Sequence, residues 1–324
     1  MEVLDRLERG GCGRDVPLSA EDVEALLRLP LDGEDFYRLL SLSGRLSRGK
    51  FGDRGYVFAQ IGVNAEPCTK NCAFCSMGQG HYVMESTWRK DEADLLEEVR
   101  GLVREGVDDI FLMTTADYPQ DRFMEMGRAV RAELPAGMRL VANIGDFSPE
   151  TARGLREAGF TGAYHICRLR EGRDTGVAPA EREATLRAIR EAGLELYYCI
   201  EPVGPEHGPD ELAVEILRAR ELGVDMMAAM RRIPVPGTPL ADKGQISALE
   251  LTRVVAVTNI VVNPARSMNV HEPIQMPLLA GVNQLYAEAG ANPRDVRSRT
   301  EEGRGFTPTR AWAMLAEGGW RPAR

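Results

Sequence analysis

From Tyr56 onward the chain alternates eight short apolar runs with stretches suited to amphipathic helices, and few folds accommodate that pattern. The runs are Tyr56–Val63, Asp109–Thr115, Arg139–Ile144, Gly162–Cys167, Glu195–Ile200, Asp225–Met230, Arg266–Val270 and Gly281–Tyr286. Between them lie Asp91–Arg104, Asp121–Glu133, Pro149–Glu157, Ala180–Glu191, Asp210–Glu221 and Leu249–Val262. Short buried strands separated by helices are the mark of parallel strands with crossover connections. Gly106, Gly159, Gly193 and Gly223 stand just after four of the helices, as C-terminal caps would. The recurring EGVDD, EAGFT, EAGLE and ELGVD segments are therefore helix-stop chemistry and not proof of internal duplication. The expected fold is α/β, a (βα)8 TIM-type barrel with an N-terminal helical extension.

A length of 324 residues would suit two average domains, but barrels of this kind routinely pass about 250 residues as one. We expect residues 1–50 to form the helical extension and residues 51–324 the barrel with a C-terminal helix. Ser19 can cap a helix that continues through Ala20-Glu21-Asp22-Val23, with the two acids favourable in its first turn. A second helix is expected from Gly33 to about Leu46. Both would pack outside the barrel or over one end. Cys12, in a Gly-rich segment, reads as a free surface thiol.

In such a barrel the functional groups sit where strands end. After the first run comes Glu66-Pro-Cys-Thr-Lys-Asn-Cys-Ala-Phe-Cys-Ser76, which sets Cys68, Cys72 and Cys75 in a C-x3-C-x2-C spacing. Soft thiolates favour iron-sulfur clusters or zinc, and a closed structural site normally has four protein ligands. Here three converge. A zinc knuckle completed by His81 and unrelated buried thiols are the competing readings, but neither accounts for the barrel pattern. Disulfides are disfavoured because the N-terminus lacks a basic segment followed by an apolar one, so a reducing cytoplasm is expected.

Other polar residues gather at the ends of later runs: Thr114, Thr115 and Asp117; Asn143 and Asp146; His165, Cys167, Arg168, Arg170 and Glu171; Cys199 and Glu201; Arg231 and Arg232; Asn269, His271 and Glu272. Each has an ordinary reading as well. Cys167 and Cys199 could be small buried hydrophobes, a hydrogen-atom donor, or ligands of an auxiliary cluster if both point inward. His207, between Gly and Pro, reads as a turn residue. His271 and Glu272 directly follow a strand, where a charged pair would face the cavity. Arg231 and Arg232 could hold a carboxylate or phosphate, although alternation turns one of two neighbours outward. A net charge of -9, from 40 basic against 49 acidic residues, opposes general affinity for nucleic acid or anionic membranes. No apolar run reaches the roughly 18 to 20 residues of a membrane span. A small-molecule substrate is expected.

The cysteine spacing with Phe74 before the last thiol, Asn64 ahead of the loop, PVPGTPLAD from Pro234 to Asp242 and LLAGVNQLY from Leu278 to Tyr286 resemble the radical S-adenosylmethionine (radical SAM) superfamily. Within it the chain is similar to the group of biotin synthase, methylornithine synthase and the iron-hydrogenase maturase, over about Ser19 to Pro322. The resemblance implies a 4Fe-4S cluster on Cys68, Cys72 and Cys75, with S-adenosylmethionine on the fourth coordination position. It implies that Thr114, Thr115 and Asp117 lie at the edge holding the methionine amine. It further implies that Arg182, in PAERE, meets the methionine carboxylate, and that Asn143, His165 and Arg168 complete the cofactor site. Asp117 is shorter than the Glu often found there.

The resemblance also implies ferredoxin or flavodoxin as reductant and a 5′-deoxyadenosyl radical that takes hydrogen from a small anionic substrate in cofactor biosynthesis. Catalytic candidates are His165, Cys167, Cys199 and His271. Substrate candidates are Glu201, Arg231, Arg232, Asn269, His271 and Glu272. The positions that hold a sulfur-donating second cluster in biotin synthase correspond to Met113, Ala142, the Tyr197–Cys199 stretch and Asn269, which keep at most one ligand. A sulfur-inserting synthase of lipoyl or biotin type remains the alternative. An iron-sulfur electron carrier is the alternative of another class, but needs no barrel of this size.

Overall fold

The computed structural model describes residues 2–10, 17–84, 86–272, 274–288 and 306–323; Cys12 lies outside them. Parallel strands β1 (Arg54–Gly62), β2 (Asp109–Met113), β3 (Arg139–Asn143), β4 (Gly162–Tyr164), β5 (Glu195–Val203), β6 (Met226–Arg231), β7 (Ser267–Val270) and β8 (Gln284–Glu288) are neighbours in that order. Phe58 of β1 stands opposite Asp109 on one side and Tyr286 of β8 on the other, which closes the barrel. A short antiparallel ribbon, Asn64–Ala65 with Trp88–Arg89, brackets the cysteine loop.

Helices α1 (Glu2–Gly10), α2 (Ala20–Leu27) and α3 (Glu34–Phe51) precede the barrel. Its outer layer contains α4 (Glu92–Arg104), α5 (Gln120–Glu133), α6 (Pro149–Glu157), α7 (Pro179–Glu191), α8 (Pro209–Leu222), α9 (Ala248–Val262) and α10 (Pro308–Glu317). From α4 to α9 the bounds fall within one residue of expectation, because the caps act locally. Ser19 forms a capping box with Asp22, and Ser247 forms one with Glu250. The four expected cap glycines have φ between 63° and 94°, the left-handed region that a side chain disfavours.

Among its described residues the connection from β7 to β8 carries a 3-10 turn, Met276–Ala280, and α3 packs beside that turn and α9. Asn259 of α9 donates from Nδ2 to the hydroxyls of Ser43 and Ser47, both at 2.9 Å, while Ser43 Oγ donates to Ala280 O at 2.6 Å. These residues are buried, so the polar stitch satisfies groups that would otherwise lose water uncompensated. In this packing α3 is a member of the helical layer, and α2 rests on α8.

Inward residues of the strands' first turns fill the barrel floor with a polar network. Arg266 makes a two-pronged pair with Asp109, one arm at 2.8 Å. Gln284 Nε2 donates to the same carboxylate at 2.9 Å, and Gln284 Oε1 accepts from Ser267 Oγ at 2.7 Å. Above it stand Phe58, Phe111 and Tyr197; the Phe58 and Phe111 rings are 4.4 Å apart. Asp109, Ser267 and Gln284 are fully buried at this end, and the cavity opens at the C-terminal ends of the strands. No helix among the described residues is long and apolar enough to cross a membrane.

Candidate functional site

The cysteine loop is held to its surroundings by its own backbone. Cys68 N donates to Met77 O at 2.7 Å, Ala73 N to Asp174 O at 2.8 Å, Leu240 N to Ala73 O at 3.0 Å and Gly176 N to Lys70 O at 2.6 Å. His81 Nε2 lies 3.1 and 3.0 Å from the carbonyls of Cys72 and Cys75, so it carries the proton and donates to them. That nitrogen braces the backbone, which removes it as the fourth ligand of a zinc knuckle. Asp117 is also spent on the loop, accepting from Thr69 N and Thr69 Oγ1, both at 2.7 Å. Asn64 ties β1 to the next strand's end, accepting from Thr115 N at 2.9 Å and donating to Thr115 Oγ1 at 2.8 Å.

A Cβ built on Gly176 would stand 2.5 Å from Lys70 O, a backbone atom that can yield only if the cysteine loop moves. Gly176→Ala is expected to cost roughly 1 to 3 kcal/mol of overpacking and to reduce iron bound after anaerobic reconstitution. Iron content equal to the unaltered protein would show that the loop position does not depend on this contact.

All three thiols open on one cavity at the mouth, together with Thr114, Asn143, Arg168 and Arg182. Burial raises the Cys68 thiol and pushes Cys72 up to about 11, with the charge of Arg168 opposing it at Cys72. A metal centre must therefore displace their protons. Among the described residues, two Cys/His/carboxylate trios have ligand atoms mutually within 4.8 Å, and the loop thiols are not one of them. Their wider separation suits a cluster better than a single zinc ion. Ser76 Oγ and Thr114 Oγ1 line the same space, buried and without hydrogen-bond partners in the protein, as expected of groups that meet a bound polar molecule, and Arg168 Nε has there only a 3.5 Å ion pair with Glu201 Oε1. The residues present fit an iron-sulfur cluster with a polar co-ligand.

Arg182 is buried between two carboxylates: Nη1 reaches Asp146 Oδ2 at 2.7 Å and Nε reaches Glu171 Oε2 at 3.1 Å. Asp146 Oδ1 also accepts from His165 Nε2 at 3.0 Å. Burial would raise the Asp146 carboxyl, but His165 and then Arg182 outweigh it and hold it at about 2. Burial lowers His165, which stands neutral and donates its Nε2 proton to Asp146. His165 therefore lies behind Arg182 and is not among the residues that line the cavity.

Deeper in the barrel, Tyr164 OH donates to Glu201 Oε2 at 2.9 Å and lies 3.5 Å from His271 Nδ1. Burial pushes His271 down to about 4, so it is neutral near pH 7. Asn269, fully buried, finds no partner for either side-chain atom. Arg232 lines the cavity while bound to Glu206, one arm at 3.0 Å. Arg231 and Glu272, expected at the substrate, pair with each other in a two-pronged contact, and Arg231 Nη1 donates to Ile246 O at 2.8 Å. Neither lines the cavity.

Cys167 and Cys199 do not meet. Strand β4 ends at Tyr164, so alternation no longer governs Cys167, whose backbone N donates to the outward Tyr198 OH at 3.2 Å beside Glu215 of α8. Cys199 is buried inside the barrel with Glu201 and His271. An auxiliary cluster shared by the two thiols is incompatible with their lying on opposite sides of the wall. Reading the sequence also missed Tyr164, although the last inward residue of a barrel strand is the signal that would have found it.

A closed parallel barrel whose mouth presents three thiols to a shielded cavity defines a class of enzymes that work through a metal cluster at the strand ends. No family model matches the chain. Biotin synthase of Desulforudis audaxviator is 28% identical over 284 residues, covering 83% of this chain and 85% of that protein. Biotin synthase of Chlorobium luteolum is 30% identical over 255 residues, covering 73% and 74%. Among solved structures, methylornithine synthase (PylB) has a TM-score of 0.80 at 20% identity, covering 99% of this chain and 97% of that one. The FeFe-hydrogenase maturase HydG from Carboxydothermus hydrogenoformans has a TM-score of 0.83 at 17% identity, covering 99% and 78%, a likeness of fold. The chain belongs to the radical SAM superfamily, enzymes that use a 4Fe-4S cluster and S-adenosylmethionine, in the group that includes biotin synthase.

Proposed function

We propose that the chain takes hydrogen from an unactivated carbon of a small anionic substrate, in a rearrangement, cleavage or ring-forming step of cofactor biosynthesis in the cytoplasm, with ferredoxin or flavodoxin as reductant. The observation that carries this reading is that the loop thiols and the deep wall of Tyr164, Glu201 and His271 border one cavity. When bound, the cluster and S-adenosylmethionine supply a 5′-deoxyadenosyl radical, and the protein's own part is to position and shield. Cys68, Cys72 and Cys75 would hold the cluster. Thr114, Arg168 and Arg182 would hold the cofactor's polar groups, with Asp146, Glu171 and His165 keeping Arg182 in place. Arg168 and Arg232 bring guanidinium groups to the cavity wall, each already facing one carboxylate, Glu201 and Glu206. Aromatic rings of Phe58, Phe111 and Tyr286 line the wall and exclude water from it.

Sulfur insertion loses support because Cys167 is turned away from the cavity. Arg182→Gln tests the assignment. It is expected to weaken S-adenosylmethionine binding by about 1.5 to 3 kcal/mol, the range for a hydrogen bond to a charged group. Unchanged affinity in folded, cluster-loaded protein would leave Arg182 a purely structural residue. Addition of S-adenosylmethionine under anaerobic conditions should also perturb the cluster's spectrum, which an electron carrier would not do.

A further inference from the structure

We infer that Cys199, Glu201 and His271 form a second metal site, for one divalent cation of the zinc or ferrous type, in the barrel interior below the cysteine loop. One ligand atom from each residue lies within 4.8 Å of the other two, so a small movement brings all three onto one ion. The set combines a thiolate, a carboxylate and an imidazole, a donor mixture that suits zinc and ferrous iron and not magnesium or calcium.

The backbone brings the three together. Cys199 and Glu201 are alternate residues of β5, and His271 follows β7, with His271 N donating to Ala229 O of the intervening β6 at 3.2 Å. Glu201 and His271 line the cavity and Cys199 closes the site from behind, so a fourth coordination position would face the cavity. Three protein ligands and one open position describe a catalytic rather than a structural site. Tyr164 supplies the outer support such sites use, its hydroxyl 2.9 Å from Glu201 Oε2 and 3.5 Å from His271 Nδ1. His271 keeps its other nitrogen, Nε2, buried without a partner, so no protein hydrogen bond to that atom opposes a shift of the ring.

The other trio, Asp174, Glu206 and His207, is held more tightly by the protein: both Glu206 oxygens accept from Arg232 and His207 Nδ1 accepts from Gly204 N at 2.8 Å, whereas Glu201 Oε1 meets Arg168 Nε only at 3.5 Å. The inner site would let the ion grip a substrate heteroatom and hold it under the mouth. It goes beyond the proposed reaction and does not require it.

The test uses full-length protein with its cluster reconstituted anaerobically, titrated with zinc and, separately, with cobalt(II). We expect one zinc per chain beyond the cluster iron, and with cobalt a thiolate-to-metal absorption band. Tyr164→Phe should weaken zinc binding about 10- to 100-fold, the usual effect of losing an outer-sphere partner, and Cys199→Ala with His271→Ala at least as much. Cobalt bands should vanish in Cys199→Ala. Iron content and circular dichroism verify that the variants keep cluster and fold. Zinc uptake or a cobalt band equal in the Cys199→Ala, His271→Ala protein would place the ion elsewhere, for instance on loop thiols left without cluster, and overturn the site. A cluster that never forms would appear as missing iron in every protein, a separate failure.

Discussion

Replacing Cys68, Cys72 or Cys75 by alanine is expected to abolish 5′-deoxyadenosine formation and to leave the reconstituted protein without its roughly four cluster irons. The effect should be all or nothing, because two thiolates cannot hold a cubane that already lends one corner to its co-ligand. The loop itself should survive. Its backbone bonds to Met77, Asp174, Leu240 and Gly176 do not involve the thiols, so circular dichroism and thermal unfolding of the cluster-free proteins should match one another. Cys167→Ala is the paired control: its side chain lies by Tyr198 and Glu215, outside the cavity, and it should keep full iron and full product. Product at the unaltered level from the triple alanine protein would refute the cluster assignment.

Removal of the floor ion pair should have the largest effect on stability. Asp109→Ala leaves the Arg266 guanidinium, 10% exposed, without its two-pronged partner and strips an acceptor from Gln284. An uncompensated buried charge typically costs 3 to 5 kcal/mol, and we expect about that loss in denaturant unfolding. The pair as a whole is worth far less than this, since bringing both charges out of water opposes their attraction. Asp109→Leu combined with Arg266→Met should therefore recover most of what the single change loses. A loss below about 1 kcal/mol in Asp109→Ala would mean that water reaches Arg266. Cluster loading in folded protein should be unaffected, because Asp109 begins β2 and the thiols lie beyond the opposite end of the barrel.

Local chemistry was enough to locate most of the elements. Serine and aspartate caps, glycines at helix ends and apolar runs of strand length act over a few residues, so α4 to α9 begin and end within a residue of where the sequence places them. The C-x3-C-x2-C spacing is local in the same sense, as a loop that short brings its thiols to one side of the barrel mouth. Side-chain destinations around that mouth were not open to such reading. Alternation tells inward from outward only while a strand lasts: it held for Cys199 and Glu201 on β5 but not for Cys167, three residues past the end of β4. Arg231 and Glu272 are 41 positions apart, and only the parallel packing of β6 against β7 makes them partners instead of substrate ligands. His165 likewise carries the residue type of a catalytic base, and its distance to Asp146 decides that it supports Arg182. Pairings between charges on different strands depend on three-dimensional proximity, which no local signal encodes, so the sequence supplied the barrel and its metal loop while the tertiary structure assigned the partners.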